Sequence, residues 1–414
     1  MDGPTTIALA DIFVVLLVAL AVVALVSRRF AVPYTAGLVM VGLLAALVVP
    51  HLNIVVTPEL VLAVLVPGLV FEAAFRLDFD ELRPTLPAVS LLAVPGVLLV
   101  AGLVALVLNA AVGLPLESAF LVGAMVSATD PVAVVATMRQ LRAPDRLTTL
   151  IEAESLFNDG TGIVLFTVAL GTSDLVGQGL VTFVLTVVVS IAIGLVLGGL
   201  AAWIGGTIDD VNLELTLTLI AAYGVYLLAD RLNESGIIAA VVAGIVIGNY
   251  GRRGGMSARS RVAIDTVWSY LAFLLTAIVF LLIGLTMTTT DLLAAALPIA
   301  WGLLAVIAGR ALVVYGLLGG LGRLQAGERL GLRLPIGWSH VLFWSGLRGA
   351  IAIALALSLP ADYPQRTLLQ GIVFGIVLFT LLVQGTTAAR VVRLAEPHAG
   401  EMSMPTASPS LPGA

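Results

Sequence analysis

The chain has no cysteine and no lysine. Without cysteine there is neither a disulfide framework nor a thiolate metal site. Three histidines, His51, His340 and His398, are scattered along 414 residues and form no ligand cluster. Charge is scarce as well: Asp, Glu, Lys and Arg make up 11% of the chain, against about 25% in soluble domains. All 20 basic residues are therefore arginine, which excludes any mechanism that needs a lysine buried in a membrane. What is abundant is apolar surface, at 60% of residues. The apolar segments recur from end to end, so no soluble domain is left over. The composition is that of one polytopic membrane domain, all-α, with no feature for holding nucleic acid.

Thirteen apolar segments of spanning length are read from the sequence, at about 7–26, 31–49, 58–75, 86–112, 117–138, 147–170, 180–205, 213–230, 235–250, 264–287, 296–320, 338–358 and 367–389. The first is read as a span and not a cleaved leader, because no basic residue precedes it and Arg28 and Arg29 follow it. Sixteen arginines fall in connections on one side of these segments; only Arg231 and Arg366 fall on the other. The positive-inside rule then puts the amino terminus outside and the carboxyl terminus in the cytoplasm.

One stretch breaks the oily pattern. EAESLFNDGTG, at 152–162, opens into the apolar run that ends at Leu170. Carboxylates at membrane depth are costly and mark a functional site by default. Helical spacing stacks Ser155 on Asp159, and Glu154 on Asn158 on the adjoining face. Such an oxygen-lined face suits a small hard cation. The alternative is a solvated helix start, with the acids capping it. Two arginines, Arg310 and Arg348, also fall inside apolar segments. A buried arginine needs a carboxylate, and Glu72, Asp130, Glu154 and Asp159 are on offer; the alternative for Arg310 is to snorkel to the surface.

Two segments read as broken helices, 117–138 at Asp130-Pro131, and 338–358 where Gly346 and Gly349 flank Arg348. Broken helices at corresponding places in two halves point to a transporter's binding site. Asp130 would then meet positive helix N-termini and Arg348 negative C-termini. A faint repeat supports two halves: residues 62–72 share five of eleven positions with 271–281, an offset of 209. A shift of seven spans inverts topology, giving two inverted six-helix repeats.

These residues resemble a known family. Thr129-Asp130-Pro131, the run from Glu154 to Asp159 and the Gly346–Ala350 break are similar to the signature segments of the electroneutral sodium/proton antiporters, NhaP-like members of monovalent cation:proton antiporter family 1. The resemblance covers about residues 10–390. It implies a homodimer in the cell membrane, with no cofactor and no other protein partner. Each protomer would hold a dimerisation part and an ion-binding core, with core helices at about 58–170 and 264–389, moving as an elevator. It further implies that Asp159 carries cation and proton in turn. Ser155, Asp130, Thr129 (chiefly through its backbone) and Glu72 are expected near the cation, with Asn158 orienting the site. Glu154 is expected to pair with Arg310, and Arg348 to stabilise the crossing of the broken helices. Thr276 stands where relatives commonly carry asparagine. Residues 395–414 are expected to be a short disordered tail in place of a long regulatory domain.

The expected activity is transport, not enzymatic chemistry. A carboxylate that is neutral only when loaded with a proton or a cation crosses only when loaded, which gives obligatory exchange. With asparagine at 158, and no lysine, nothing carries a second proton, so the exchange is expected to be one to one. A cation channel and a non-transporting sensor are the competing readings. The first lacks a filter motif, and the second lacks an output domain.

Overall fold

The computed structural model describes residues 34–48, 57, 59–171, 175–251, 256–286, 292, 293 and 295–395, and positions 14, 17, 18, 20–26 and 29 before them. Half of the first expected span and the tail from 396 lie outside the described residues. Within them the chain is helical, with no strand. The helices are α1 (Tyr34–Val48), α2 (60–76), α3 (Phe79–Leu82), α4 (Leu86–Val112), α5 (Leu116–Ser127), α6 (Val132–Gln140) and α7 (Asp145–Gly171). They continue as α8 (Gly177–Gly205), α9 (Val211–Arg231), α10 (Gly236–Gly251), α11 (Ala258–Thr286) and α12 (Ala296–Leu321). The last are α13 (Gln325–Arg329), α14 (Ile336–Trp344), α15 (Ala350–Leu357) and α16 (Arg366–Ala395).

Among the described residues, seven segments are long and apolar enough to cross a membrane: α4, the α5–α6 pair, α8, α9, α11, α12 and α16. The protein is a multi-pass membrane protein. α7 is 27 residues long and is not among the seven; its middle carries the polar stretch. Both expected broken segments are interrupted. α5 and α6 are separated at 128–131, and α14 and α15 at 345–349.

Packing divides the helices into two groups. One holds α1, α2, α8, α9, α10 and α11; the other holds α4 to α7, α12 and α14 to α16. The sequence reading put segments 58–75 and 264–287 with the ion-binding core. In the structure α2 packs chiefly on α10, and α11 chiefly on α1, while both border the cavity described below. Side-chain caps start several helices. Asp210 accepts hydrogen bonds from the backbone N–H groups of Asn212 and Leu213, at 2.9 and 3.0 Å, opening α9.

Within the groups, small residues bring backbones together. In α5 a side chain at Gly123 would run into the backbone of Ala101 in α4, 2.9 Å from its Cα. Gly102, one residue on, has nothing within 4 Å of a Cβ placed there. Gly123→Val is therefore expected to cost about 3 kcal/mol by overpacking and to lower the melting temperature in detergent. Gly102→Ala should leave it unchanged or raise it slightly. Fluorescence-detected thermal denaturation of both variants checks the contrast.

Candidate functional site

The two interruptions cross each other. The backbone N–H of Asp130 donates to the carbonyl of Leu347 at 2.8 Å. The Asp130 carboxylate accepts from the backbone N–H of Val132 at 3.1 Å and from that of Ala350. It thus sits on the first turns of both second half-helices, α6 and α15, where unpaired N–H groups and the helix dipole favour an anion. Gly349 makes the crossing close: a Cβ there would fall 2.7 Å from Asp130 Cγ. Arg348 is fully buried and lies on the carbonyl side of its break. Its guanidinium donates to Gly346 O at 2.7 Å, and its backbone N–H donates to Thr380 Oγ1 of α16 at 3.1 Å.

α7 passes beside this crossing and is tied to it by side chains. Asn158 accepts from the Thr129 N–H at 3.1 Å, and its amide donates to Thr129 Oγ1 at 2.6 Å and to Glu154 Oε1 at 3.2 Å. The Ser155 hydroxyl donates to Thr129 O at 2.5 Å. Glu154 in turn takes a two-pronged contact from Arg310, at 2.5 and 2.8 Å, and both residues are buried. Arg310 also donates to Leu342 O of α14 at 2.7 Å. Of the four carboxylates the sequence offered this arginine, the structure pairs it with Glu154. The paired geometry suits a guanidinium fork and makes the pair neutral as a unit.

Asp159 stands apart from these contacts. It is half-buried and faces a cavity of about 600 Å³ together with Asp130, Ser155, Glu72 and Thr276. No described residue donates a hydrogen bond to its carboxylate. Glu72 lines the same cavity but is paired with Arg76 one turn on. Arg76 reaches across to Ser269 and to the carbonyl of Asp265, both in α11. The sequence reading gave no partner to Arg139 or Glu152. These two meet at 2.5 Å and also border the cavity. Their separation of 13 residues spans a turn, and only the positive φ of Arg142, 55°, marks where the chain reverses.

A second cavity, of about 640 Å³, lies toward the other end of α7. Ile163, Thr167, Asp230, Glu234 and Ser235 are among its lining residues. Ile163 is one helical turn beyond Asp159, so the two cavities are lined by successive turns of α7.

Removing one partner of the buried pair should be severe. Glu154→Gln leaves the Arg310 charge buried without its counter-ion, at a cost of about 3–5 kcal/mol. Adding Arg310→Met should recover much of that loss. Melting temperatures of the single and double variants, measured in one detergent, check the coupling.

With this geometry established, comparisons with known proteins show the family and, separately, the fold. The family model for "Sodium/hydrogen exchanger, transmembrane" matches residues 13–394. The Na(+)/H(+) antiporter ApNhaP of Aphanothece halophytica is 40% identical over 368 residues, covering 87% of this chain and 69% of that protein. The low-affinity Na(+)/H(+) antiporter NhaS1 of Synechocystis is 39% identical over 369 residues, with the same coverage of 87% and 69%. Among solved structures, the sodium proton antiporter MjNhaP1 of Methanocaldococcus jannaschii has the same fold, with a TM-score of 0.76 at 21% identity; the match covers 95% of this chain and 99% of that one. The crossed half-helices and the tethered α7 thus belong to a transporter and not an enzyme: the chain is a member of the sodium/hydrogen exchanger family.

Proposed function

We propose that the protein is a secondary antiporter that exchanges a monovalent cation, Na+ or its neighbours Li+ and K+, for H+, one for one. The observation that carries this reading is Asp159. It is a carboxylate at membrane depth that faces a cavity and takes no hydrogen bond from a described residue, while Asn158, Ser155 and Glu154 on the same helix are all engaged. Asp130, Ser155 and the Thr129 backbone supply further oxygens close by, the donor type a hard cation prefers. Glu72 lines the same space and would take part through the cavity. Proton and cation seek the same oxygens, so they compete. A bare carboxylate in a poor dielectric is too costly to move, so crossing requires one cargo or the other.

The one-to-one ratio rests on what surrounds Asp159. Asn158 has no charge to change and is hydrogen-bonded on three sides. Glu154 is neutralised by Arg310. The chain has no lysine to release a second proton. Arg348 would hold the break between α14 and α15 open for the cation without meeting it.

Cavities toward both ends of α7 support alternating access of elevator type, with the α4–α7, α12 and α14–α16 group moving against the other. The reading also carries a homodimer in the cell membrane, with the amino terminus outside. α8 has the least buried face of the seven spanning segments, which leaves room for a second protomer. A channel reading is disfavoured, because Glu154 pairs with Arg310 while Asp130 and Arg348 are held by backbone groups, and these charges do not ring a pore.

Proteoliposomes with an imposed pH gradient test the reading. Addition of Na+, Li+ or K+ should collapse the gradient in wild type and fail to do so in Asp159→Asn. Equal responses in both proteins would remove Asp159 as the carrier. A potential-sensitive dye should stay silent during turnover; a membrane potential built up by exchange would overturn the one-to-one ratio.

A further inference from the structure

The exchange reading leaves one conspicuous residue of the polar stretch unused, Glu152. It lies at i, with Ser155 at i+3 and Asp159 at i+7, so all three share one face of α7. All three border the 600 Å³ cavity. Glu152 is about 10 Å from Asp159 along the helix axis. The face therefore forms a line of oxygen groups leading to the carrier. At Glu152 this line meets Arg139, which donates to Oε1 at 2.5 Å. The two side chains are unequally held: Glu152 is 19% exposed, Arg139 54%. The contact is single-pronged, unlike the two-pronged grip of Arg310 on Glu154. Such a half-solvated pair is weak enough to exchange partners.

Across the cavity, on α2, lies a second pair, Glu72 and Arg76. Glu72 is within electrostatic reach of Arg139, Glu152 and Asp265, and Glu152 within reach of Arg76. Two carboxylates and two guanidiniums thus face one another across the seam between the helix groups. Arg76 is further held by α11 through Ser269 and the Asp265 carbonyl. Arg139 has no such second anchor among the described residues. It sits in the last turn of α6, whose first turn holds Asp130.

We propose that Glu152 is the entry carboxylate for the transported monovalent cation, and that Arg139 is its tethered counter-ion, which the incoming cation displaces. Arg139 lowers the apparent affinity by occupying Glu152. Its swing toward solvent leaves Glu152 to the cation, which then passes along Ser155 to Asp159. Arg139 is thus a positioning residue that acts through Glu152. The proposal rests on the exchange reading.

The test is the dependence of initial exchange rate on Na+ concentration in proteoliposomes, with ionic strength held constant by choline chloride. Glu152→Gln should raise KM about fivefold with the maximal rate retained, the scale of one exposed ion pair. Arg139→Gln should lower KM by a similar factor, and Arg139→Lys should keep the wild-type value. The Arg139→Gln/Glu152→Gln double variant should have the KM of Glu152→Gln alone, because Arg139 acts through that carboxylate. The effects should shrink as salt is raised. The proposal falls if both single variants keep the wild-type KM, or if Arg139→Gln raises KM as Glu152→Gln does, the sign of a purely structural pair. If Glu152→Gln fails to reach the membrane, the direction of the Arg139→Gln shift decides. Wild type without Na+-dependent flux would overturn the exchange reading itself; active wild type with unmoved KM values would overturn only the entry role.

Discussion

The structure depends on one constraint: two helices stop midway through a membrane domain, and their loose backbone groups must be satisfied without water. Each break does this largely with the other. Leu347 accepts the Asp130 N–H, and the Asp130 carboxylate holds the first turns of α6 and α15. Arg348 serves the carbonyl side, at Gly346. The remaining groups at Thr129 are taken by α7, its N–H by Asn158 and its carbonyl by Ser155. Satisfying the break therefore fixes the rotation of α7. Once Ser155 and Asn158 are committed, Asp159 has to emerge beside them, on the cavity. The Asp159 carboxylate is positioned by hydrogen bonds it does not itself make.

The same logic explains why so much charge is buried nearby. A buried ion pair is weak evidence of stability, since removing two charges from water costs about as much as their attraction returns. The Glu154–Arg310 pair has a different use. It joins α7 to α12 and, through Leu342, to the first half of the broken helix α14. It also ties up the second carboxylate of the polar stretch. Of the two acids that flank Asn158, one is locked to an arginine and one is left to face the cavity. Chemical asymmetry within six residues of one helix is what separates scaffold from the proposed carrier.

Much of this was legible in the sequence, for a physical reason. Charges, prolines and paired glycines are so costly in apolar helices that each one has to be explained, and the explanations converge on the breaks. The helical spacing that links Glu154 with Asn158 is local and was read directly. The residues alone left the partner of Arg310 open among four carboxylates; the family resemblance named Glu154, and the fold pairs the two by bringing α7 against α12. The Glu72–Arg76 contact was missed although its spacing of four was open to view. Arg139–Glu152 and the buried links of Glu214 to Ser260 and of Trp268 to Thr218 join separate helices, and no period in the sequence announces them. The grouping of α2 and α11 with α10 and α1 was likewise hidden. An apolar helix carries no label for which apolar neighbour it will choose.

The contrast between contacts inside the groups and contacts between them bears on how the protein could move. Inside a group, small residues let backbones touch, as where Gly123 meets Ala101, and such interfaces resist sliding because backbone cannot yield. Across the seam the meeting is of another kind. α7 presents Gly160 to α10, and what fills the space there is the side chain of Ile238. That contact has no hydrogen bond to break, and a side chain can yield where backbone cannot. The charged groups near the seam lie at the cavity edge, where water can replace a lost partner. A rigid body that holds Asp130, Ser155 and Asp159 together, bounded by apolar side chains, suits the proposed movement, because it would shift as a unit and keep the proposed cation site intact. A carrier whose site had to be rebuilt at each end of the cycle would need the opposite arrangement.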